Sequence, residues 1–459
     1  MPADLSDAVL QELVDALPPG VVTTDPAGLE KYRFDWSKDA GAGTPVAAVR
    51  AEDAGHVQTA VRWAARHRVP VVPRGAGSGL SGGSSAVDGG IVLSLERMRA
   101  IEIDTDCQVA VVEPGAFNAE VKAAAAEHGL WYPPDPSSYE ICSIGGNVAT
   151  NAGGLCCVKY GVTTDYVLGL DVVLADGTLV SLGGKRIKDV AGLSLLKLFV
   201  GSEGTLGIVT RAILRLVPKQ AERSTLVASF ADVDAAARAV VEVGRSIRPS
   251  MMELMDHASI NAVEDFRQMG LDRDAGALLV AQSDAPGAAR ELEVDVMQEA
   301  CQAAGATEVF VTADAEEGEM FVEARRAAFP AIEQRGSLLL EDVGAPIPLL
   351  PELLAAITTI ADKYDIEIPV VAHAGDGNTH PIIVYDASEP ASEQRAREAF
   401  DEVMHAAIAL GGTITGEHGV GRAKKGALPD QLGPDVMALT RRVKDALDPD
   451  GILNPGAIL

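Results

Sequence analysis

Pro73-Arg74-Gly75-Ala76-Gly77-Ser78-Gly79-Leu80-Ser81-Gly82-Gly83 is the stretch whose reading decides the fold. Within it, Gly77-x-Gly79-x-x-Gly82 matches the dinucleotide fingerprint, and Glu102 follows at about the twenty-residue distance where that motif places its acid. In a nicotinamide-binding Rossmann unit, however, the glycines open a helix whose N-terminus meets the pyrophosphate. Here the continuation Ser81-Gly82-Gly83-Ser84-Ser85-Ala86-Val87-Asp88-Gly89-Gly90 is too rich in glycine and serine to hold a helix, and it leads into the strand-like run Gly90–Leu95. A P-loop is excluded because no Gly-Lys-Ser/Thr follows. What remains is a loop of consecutive backbone N–H groups, an anion nest able to wrap a diphosphate without a cation. A flexible linker is a poor alternative, since Gly/Ser linkers do not usually sit between two apolar strands.

Outward from the loop, Val69–Pro73 reads as a strand, Ala51–His67 as a helix of period 3.6, and the first ~45 residues as a short amphipathic helix with a Pro/Gly-punctuated approach. Downstream come the strand Val109–Glu113, the helix Asn118–His128, and strands over Val167–Leu174, Thr178–Leu182 and Gly207–Leu216. Pro218 closes this α+β half. From Thr225 to about Ala361, strands such as Thr225–Phe230 and Ala277–Ser283 alternate with helices such as Val233–Ser246 and Gly287–Ala304, the pattern of a sheet covered by helices. The turn-rich end Asp448–Gly456 is placed to cross back to the first domain. The expected architecture is therefore α+β: a first domain over 1–218, a second α+β domain with an antiparallel sheet over 219–440, and a returning segment over 441–459.

Composition narrows the function. A formal charge of −28 repels nucleic acid and anionic membrane at long range. No run of about 18 uncharged apolar residues exists, so no integral membrane segment is expected. The N-terminus also lacks the basic start and apolar stretch of a signal peptide, which makes the cytoplasm the expected compartment. Five cysteines without a Cys-x-x-Cys pair indicate neither a disulfide framework nor an iron–sulfur cluster.

A second glycine cluster, Ser143-Ile144-Gly145-Gly146-Asn147-Val148-Ala149-Thr150-Asn151-Ala152-Gly153-Gly154, follows Pro133-Pro134-Asp135-Pro136-Ser137. Two such clusters imply a long ligand. With Gly201-Ser202-Glu203-Gly204-Thr205-Leu206-Gly207-Ile208 and the terminal Leu453-Asn454-Pro455-Gly456, these motifs resemble the FAD-linked oxidoreductases of the vanillyl-alcohol-oxidase type. That family includes the glycolate oxidase FAD subunit, D-lactate dehydrogenases and D-2-hydroxyglutarate dehydrogenase. The resemblance spans nearly the whole chain and implies that 1–218 is an FAD-binding domain of two subdomains, with 219–440 as the substrate-binding cap. It implies cofactor contacts from Pro73, Arg74, Gly75, Ala76, Gly77, Ser78, Gly79 and Leu80, from Pro134, Asp135 and Ser137, and from Gly145, Gly146, Asn147, Thr150, Asn151 and Gly153. Glu203, Gly207, Ile208 and Asn454 complete the set. Some relatives attach flavin covalently through a histidine in the first loop; this loop has none, so non-covalent FAD is expected.

His373-Ala374-Gly375-Asp376-Gly377-Asn378-Thr379-His380 lies between the apolar runs Ile368–Ala372 and Pro381–Tyr385, and the Asp-Gly turn predicts a hairpin that brings the two imidazoles together. Gly416-Glu417-His418-Gly419, after the helix Glu393–Leu410, offers a carboxylate and a further histidine. Two histidines and a carboxylate with an open position suit a divalent ion such as zinc or manganese, although ordinary packing explains a spaced histidine pair equally well. The resemblance assigns His373, His380 and Glu417 as metal ligands, His418 as the base, and Arg325 as the partner of a substrate carboxylate.

The implied reaction is metal-assisted oxidation of a small D-2-hydroxy acid to the 2-keto acid, with hydride passing to flavin N5. A metal-dependent hydrolase and a flavin-binding non-catalytic subunit of a multisubunit oxidase stay open as alternatives. Where relatives carry basic side chains, this chain has Leu340-Glu341-Asp342 and Ile347, which disfavours an acidic distal group on the substrate unless Lys424 and Lys425 compensate. The electron acceptor is left open between an electron-transfer protein, a quinone, an iron–sulfur subunit and oxygen, and so is the oligomeric state, a homodimer included.

Overall fold

The computed structural model of the chain describes residues 6–39 and 41–459, and these divide into two compact units. The first comprises the described residues up to 153, with 162–219 and 417–459; the second comprises 154–161 and 220–416. The crossing after Lys219 falls one residue from the Pro218 boundary. The return to the first unit begins at Glu417, earlier than the 441 expected, and the short piece Gly154–Gly161 belongs to the second unit.

Two larger sheets and a two-stranded ribbon, Leu130–Trp131 with Val217–Pro218, build the first unit. A mixed sheet runs Val22–Thr23, Ala47–Arg50, Ile91–Ser94, Val71–Arg74, with the last two strands parallel in the register Val71–Ile91. No helix intervenes between Arg74 and Ile91, as the glycine-serine composition dictated. An antiparallel sheet runs Ile101–Asp104, Val109–Val112, Ile208–Arg215, Val167–Val173, Leu179–Gly183. The helix Ala54–His67 starts where the Asp53 carboxylate accepts from the His56 amide and ends at Arg68 in the left-handed region. It buries Val57, Ala60, Val61, Trp63 and Ala64, in a core that also takes Val71, Leu93, Val173, Ile208, Ile452 and Leu453. The C-terminal segment closes this core: Leu453 bridges Val71, and the Asn454 amide donates to the Val71 carbonyl over 2.8 Å.

The second unit holds one antiparallel sheet in the order Glu308–Thr312, Ser224–Phe230, Ala277–Ser283, Met251–Asp256, Val370–His373, Asn378–Tyr385, Ser337–Leu340, with Val343–Gly344 also pairing with Asn378–Tyr385. Helices Val233–Ser246, His257–Arg267, Ala288–Ala303, Ala315–Glu333, Leu350–Tyr364 and Pro390–Ala409 accompany it. The expected hairpin is present: Val370–His373 pairs with Asn378–Tyr385 in the register Val371–His380 and His373–Asn378.

Within the second glycine cluster, Ile144–Thr150 is helical, capped by Ser143, whose hydroxyl accepts from the Gly146 amide over 3.3 Å. A helix over Leu428–Leu447, interrupted at Gly433 (φ 76°), had no counterpart in the sequence reading. No helix among the described residues is long and apolar enough to cross a membrane.

Candidate functional site

In the first unit the two glycine clusters meet. A Cβ added at Gly75 would lie 2.2 Å from the Ser143 hydroxyl, which also accepts from the Ala76 amide over 3.2 Å. Gly77 has φ +76° and lies over Arg74, whose guanidinium a Cβ would meet at 2.1 Å. Gly75 is therefore fixed by close approach, and Gly77 by close approach and by backbone conformation. The amides of Gly75, Gly77, Ser78, Gly79 and Leu80 donate to no other group among the described residues. A strand end followed by half-buried, unengaged N–H groups beside a buried arginine is the donor set an anionic diphosphate needs.

The Asn118 amide ties the proline turn to the second cluster, donating to the Pro134 carbonyl over 3.2 Å and to Asn147 Oδ1 over 3.1 Å. Pro134 is buried, Asp135 half-buried and Ser137 exposed. Thr150 ends the short helix and Asn151 caps it in the left-handed region, with Gly153 next but one. Gly207 backs onto Val172, and the Ile208 side chain is in the core, so their side of the strand serves packing.

Glu203 is buried, and its two carboxylate oxygens accept from the Val420 amide over 2.7 Å and the Gly421 amide over 2.8 Å. Burial pushes its pKa up to about 7, against the pull of those two amides and with a small push from Asp35. Asn454 donates to the Gly83 and Glu203 carbonyls, each over 2.7 Å, while its Oδ1 is buried without a partner among the described residues. Ser81 donates to the His418 carbonyl over 3.2 Å. The segment carrying His418 is thus attached to the tail of the first glycine loop.

In the second unit the hairpin sets His373 and His380 ring to ring, their centroids 4.9 Å apart at 87°. Each offers a ligand nitrogen within 4.8 Å of the other's. Glu253 Oε1 engages His373 Nδ1 over 2.7 Å, so ligation by His373 falls to Nε2. Arg325 Nε in turn pairs with Glu253 Oε2 over 2.9 Å. Asp342 Oδ1 lies 3.7 Å from His380 Nδ1, and Asp342 Oδ2 accepts from the Thr415 hydroxyl over 2.7 Å and the Gly416 amide over 2.9 Å. Glu253, Glu341 and Asp342 are at most 1% exposed. Buried imidazoles backed by carboxylates are a donor set that could hold a divalent cation, and Arg325 compensates the charge of Glu253. Gly416 has no room for a side chain, since a Cβ would meet the Asn378 carboxamide at 2.4 Å, and Glu417 follows it by one peptide bond.

Arg325 is brought to the histidines through Glu253, a link the sequence reading did not contain. Glu253, Asp342 and Glu341 were not singled out as site residues. The available signal was a lone carboxylate in the apolar strand Met251-Met252-Glu253-Leu254-Met255, and an acidic pair ending the strand signal at Leu340.

Comparison with known proteins bears on both halves. Residues 45–183 match an FAD binding domain, and residues 219–458 match the family described as FAD linked oxidases, C-terminal domain. Glycolate oxidase subunit GlcD of Bacillus subtilis is 40% identical over 451 residues, covering 98% of this chain and 96% of that protein. D-lactate dehydrogenase of Archaeoglobus fulgidus is 34% identical over 459 residues, covering 98% of each. Among solved structures, substrate-bound p-cresol methylhydroxylase superposes with a TM-score of 0.82 at 19% identity, covering 99% of this chain and 98% of that one, and so shares the fold. An unlinked nest of loop amides, a capped glycine helix beside it and full-length similarity to flavin enzymes lead to one conclusion: the chain belongs to the FAD-linked oxidases of the vanillyl-alcohol-oxidase type and is an FAD-dependent oxidoreductase.

Proposed function

We propose that the protein oxidises a small D-2-hydroxy acid to the corresponding 2-keto acid, with FAD held non-covalently and a divalent metal ion, zinc or manganese, held by His373, His380 and Glu417. The observation that carries the metal is the buried pair His373–His380 with Glu253 on His373 Nδ1. The relatives named glycolate oxidase and D-lactate dehydrogenase support the substrate class. When bound, the cation supplies Lewis acidity toward a hydroxyl and FAD supplies the hydride acceptor.

The chain's own residues do the rest. The loop amides of Gly75, Gly77, Ser78, Gly79 and Leu80 and the Arg74 guanidinium hold the diphosphate, with the second cluster (Gly145, Gly146, Asn147, Thr150, Asn151, Gly153) and Asn454 along the flavin. Glu253 orients His373, and Asp342 stands beside His380. His418 takes the hydroxyl proton, an imidazole being matched to that task near neutral pH. Arg325 spends its Nε on Glu253, while its Nη2, buried without an acceptor among the described residues, is the part left to steer a carboxylate. The first loop has no histidine, which supports non-covalent flavin. Electrons leave to a separate acceptor, an electron-transfer protein, a quinone or an iron–sulfur subunit; one relative is itself named a subunit.

The test is an anaerobic flavin-bleaching screen over glycolate and both hands of lactate. Bleaching by the D-2-hydroxy acid is expected, and a yellow protein that none of them bleaches refutes the reading in favour of a non-catalytic flavin subunit. H380A is expected to lose both metal and bleaching while keeping FAD; unchanged metal content in H380A removes the metal assignment. Acid precipitation should release the yellow colour, and flavin left on the denatured chain would disprove non-covalent binding.

A further inference from the structure

The Glu203 carboxylate has no role in the reaction as proposed, yet several stretches of the first unit converge on it. Glu203 itself is in the left-handed region at φ 50°, a conformation uncommon for a residue with a side chain. Its amide donates to the Ala149 carbonyl over 2.8 Å, which ties it to the helix of the second glycine cluster. Its carbonyl accepts from Asn454, and its carboxylate accepts from Val420 and Gly421.

The surroundings leave little play. A Cβ at Gly419 would lie 2.9 Å from Glu203 Oε1, a Cβ at Gly83 would lie 3.0 Å from Oε2, and a Cβ at Gly421 would lie 2.0 Å from the Ser81 carbonyl. The Arg422 amide donates to the same Ser81 carbonyl over 2.8 Å. Both carboxylate oxygens are thus committed to the backbone two and three residues beyond His418, in a space closed by glycines. A carboxylate so placed is a clasp for that backbone, because a buried anion is retained only where donors satisfy it.

We propose that Glu203 is a positioning residue: by accepting from the Val420 and Gly421 amides it fixes the turn that presents His418 over the flavin-binding unit. This rests on the reading of His418 as the base. Gln at 203 keeps one acceptor oxygen and sets an NH2 against the other backbone N–H, so the clasp is half lost while size and FAD contacts are kept. In anaerobic stopped flow with the best-bleaching 2-hydroxy acid, E203Q is expected to keep its flavin spectrum and FAD content. Its limiting reduction rate should fall about tenfold, with the substrate concentration for half-maximal rate little changed. A role in fold stability alone lowers Tm and leaves that rate untouched.

S81A, which removes the hydroxyl on the His418 carbonyl, is the second variant and is expected to slow reduction severalfold should E203Q not fold. A wild-type reduction rate in flavin-loaded E203Q, or in S81A where E203Q does not fold, overturns the proposal, as does E203Q that folds but emerges without FAD. H418N run alongside separates the two levels. H418N reducing at the wild-type rate removes the base reading and the proposal with it, whereas a slow H418N with a wild-type E203Q removes the positioning role alone.

Discussion

Glu203 and Gly77 show how much single residues carry in this molecule. The folded-state pKa of Glu203 is pushed up to about 7 from an ordinary 4.5, first by burial. Because the folded value lies above the unfolded one, the stability contributed by this carboxyl is full below about pH 4.5 and is lost as pH rises through about 7. The loss is on the order of 3 kcal/mol. Glutamine does not titrate, so the Tm of wild type relative to E203Q is expected to fall between pH 5 and pH 8, and parallel curves would contradict the buried carboxyl. Gly77 combines φ +76° with a 2.1 Å approach of a Cβ to Arg74. Gly77→Ala is therefore expected to cost ~1–3 kcal/mol at the nest, seen as an FAD affinity about ten- to a hundredfold weaker by flavin fluorescence titration. That a loop of amides existed here was legible from glycine spacing. That Arg74 fills the space beneath it was not, because a side chain folding back under its own loop leaves no periodic trace.

At the scale of elements, the hairpin Val370–His373 with Asn378–Tyr385 was readable from the Asp-Gly turn and its apolar flanks, and so was the meeting of its histidines. Its neighbour was not. The strand Met251–Asp256 pairs with the hairpin at Leu254–Ala372 and Met255–Val371, and that register carries Glu253 to His373. Strand order across a sheet is a long-range choice, and nothing local to residues 251–256 announces the partner. E253Q is expected to leave the fold and FAD intact while lowering metal affinity ten- to a hundredfold, the usual effect of removing a carboxylate behind a ligating histidine. Chelator competition followed by metal analysis measures it, and an unchanged affinity would mean that Glu253 serves only Arg325. The short helix Ile144–Thr150 escaped the sequence reading for a related reason: two glycines lower helix propensity, and only the Ser143 cap and the seat of Gly145 against Pro114 hold the turn.

For the whole molecule, the chain visits the second unit twice, and the first visit, Gly154–Gly161, is the less obvious. Lys159 and Tyr160 reach Asp284, which also accepts from Gln220 over 2.8 Å. Burial would raise the Asp284 pKa, but these donors overcome it and hold the carboxyl below its ordinary value. D284A strands the donors and is expected to cost roughly 3 kcal/mol, read as a Tm drop on the order of 5–10 °C by calorimetry. For the same reason a fragment of 220–416 alone should be less stable than one supplied with 154–161. The sequence by itself determined the cofactor class and the two-part architecture, because glycine spacing, strand periodicity and the absence of a helix after Gly83 are local properties of the backbone. It also determined which histidines come together, since a tight turn fixes register over a few residues. Only the tertiary structure decided that Glu203 spends its carboxylate on Val420 and Gly421, that Glu253 and Asp342 back the histidines, and that 417–459 belongs with the first unit. These are pairings between buried polar groups distant in sequence, selected by the cost of leaving any of them unsatisfied once the core has closed.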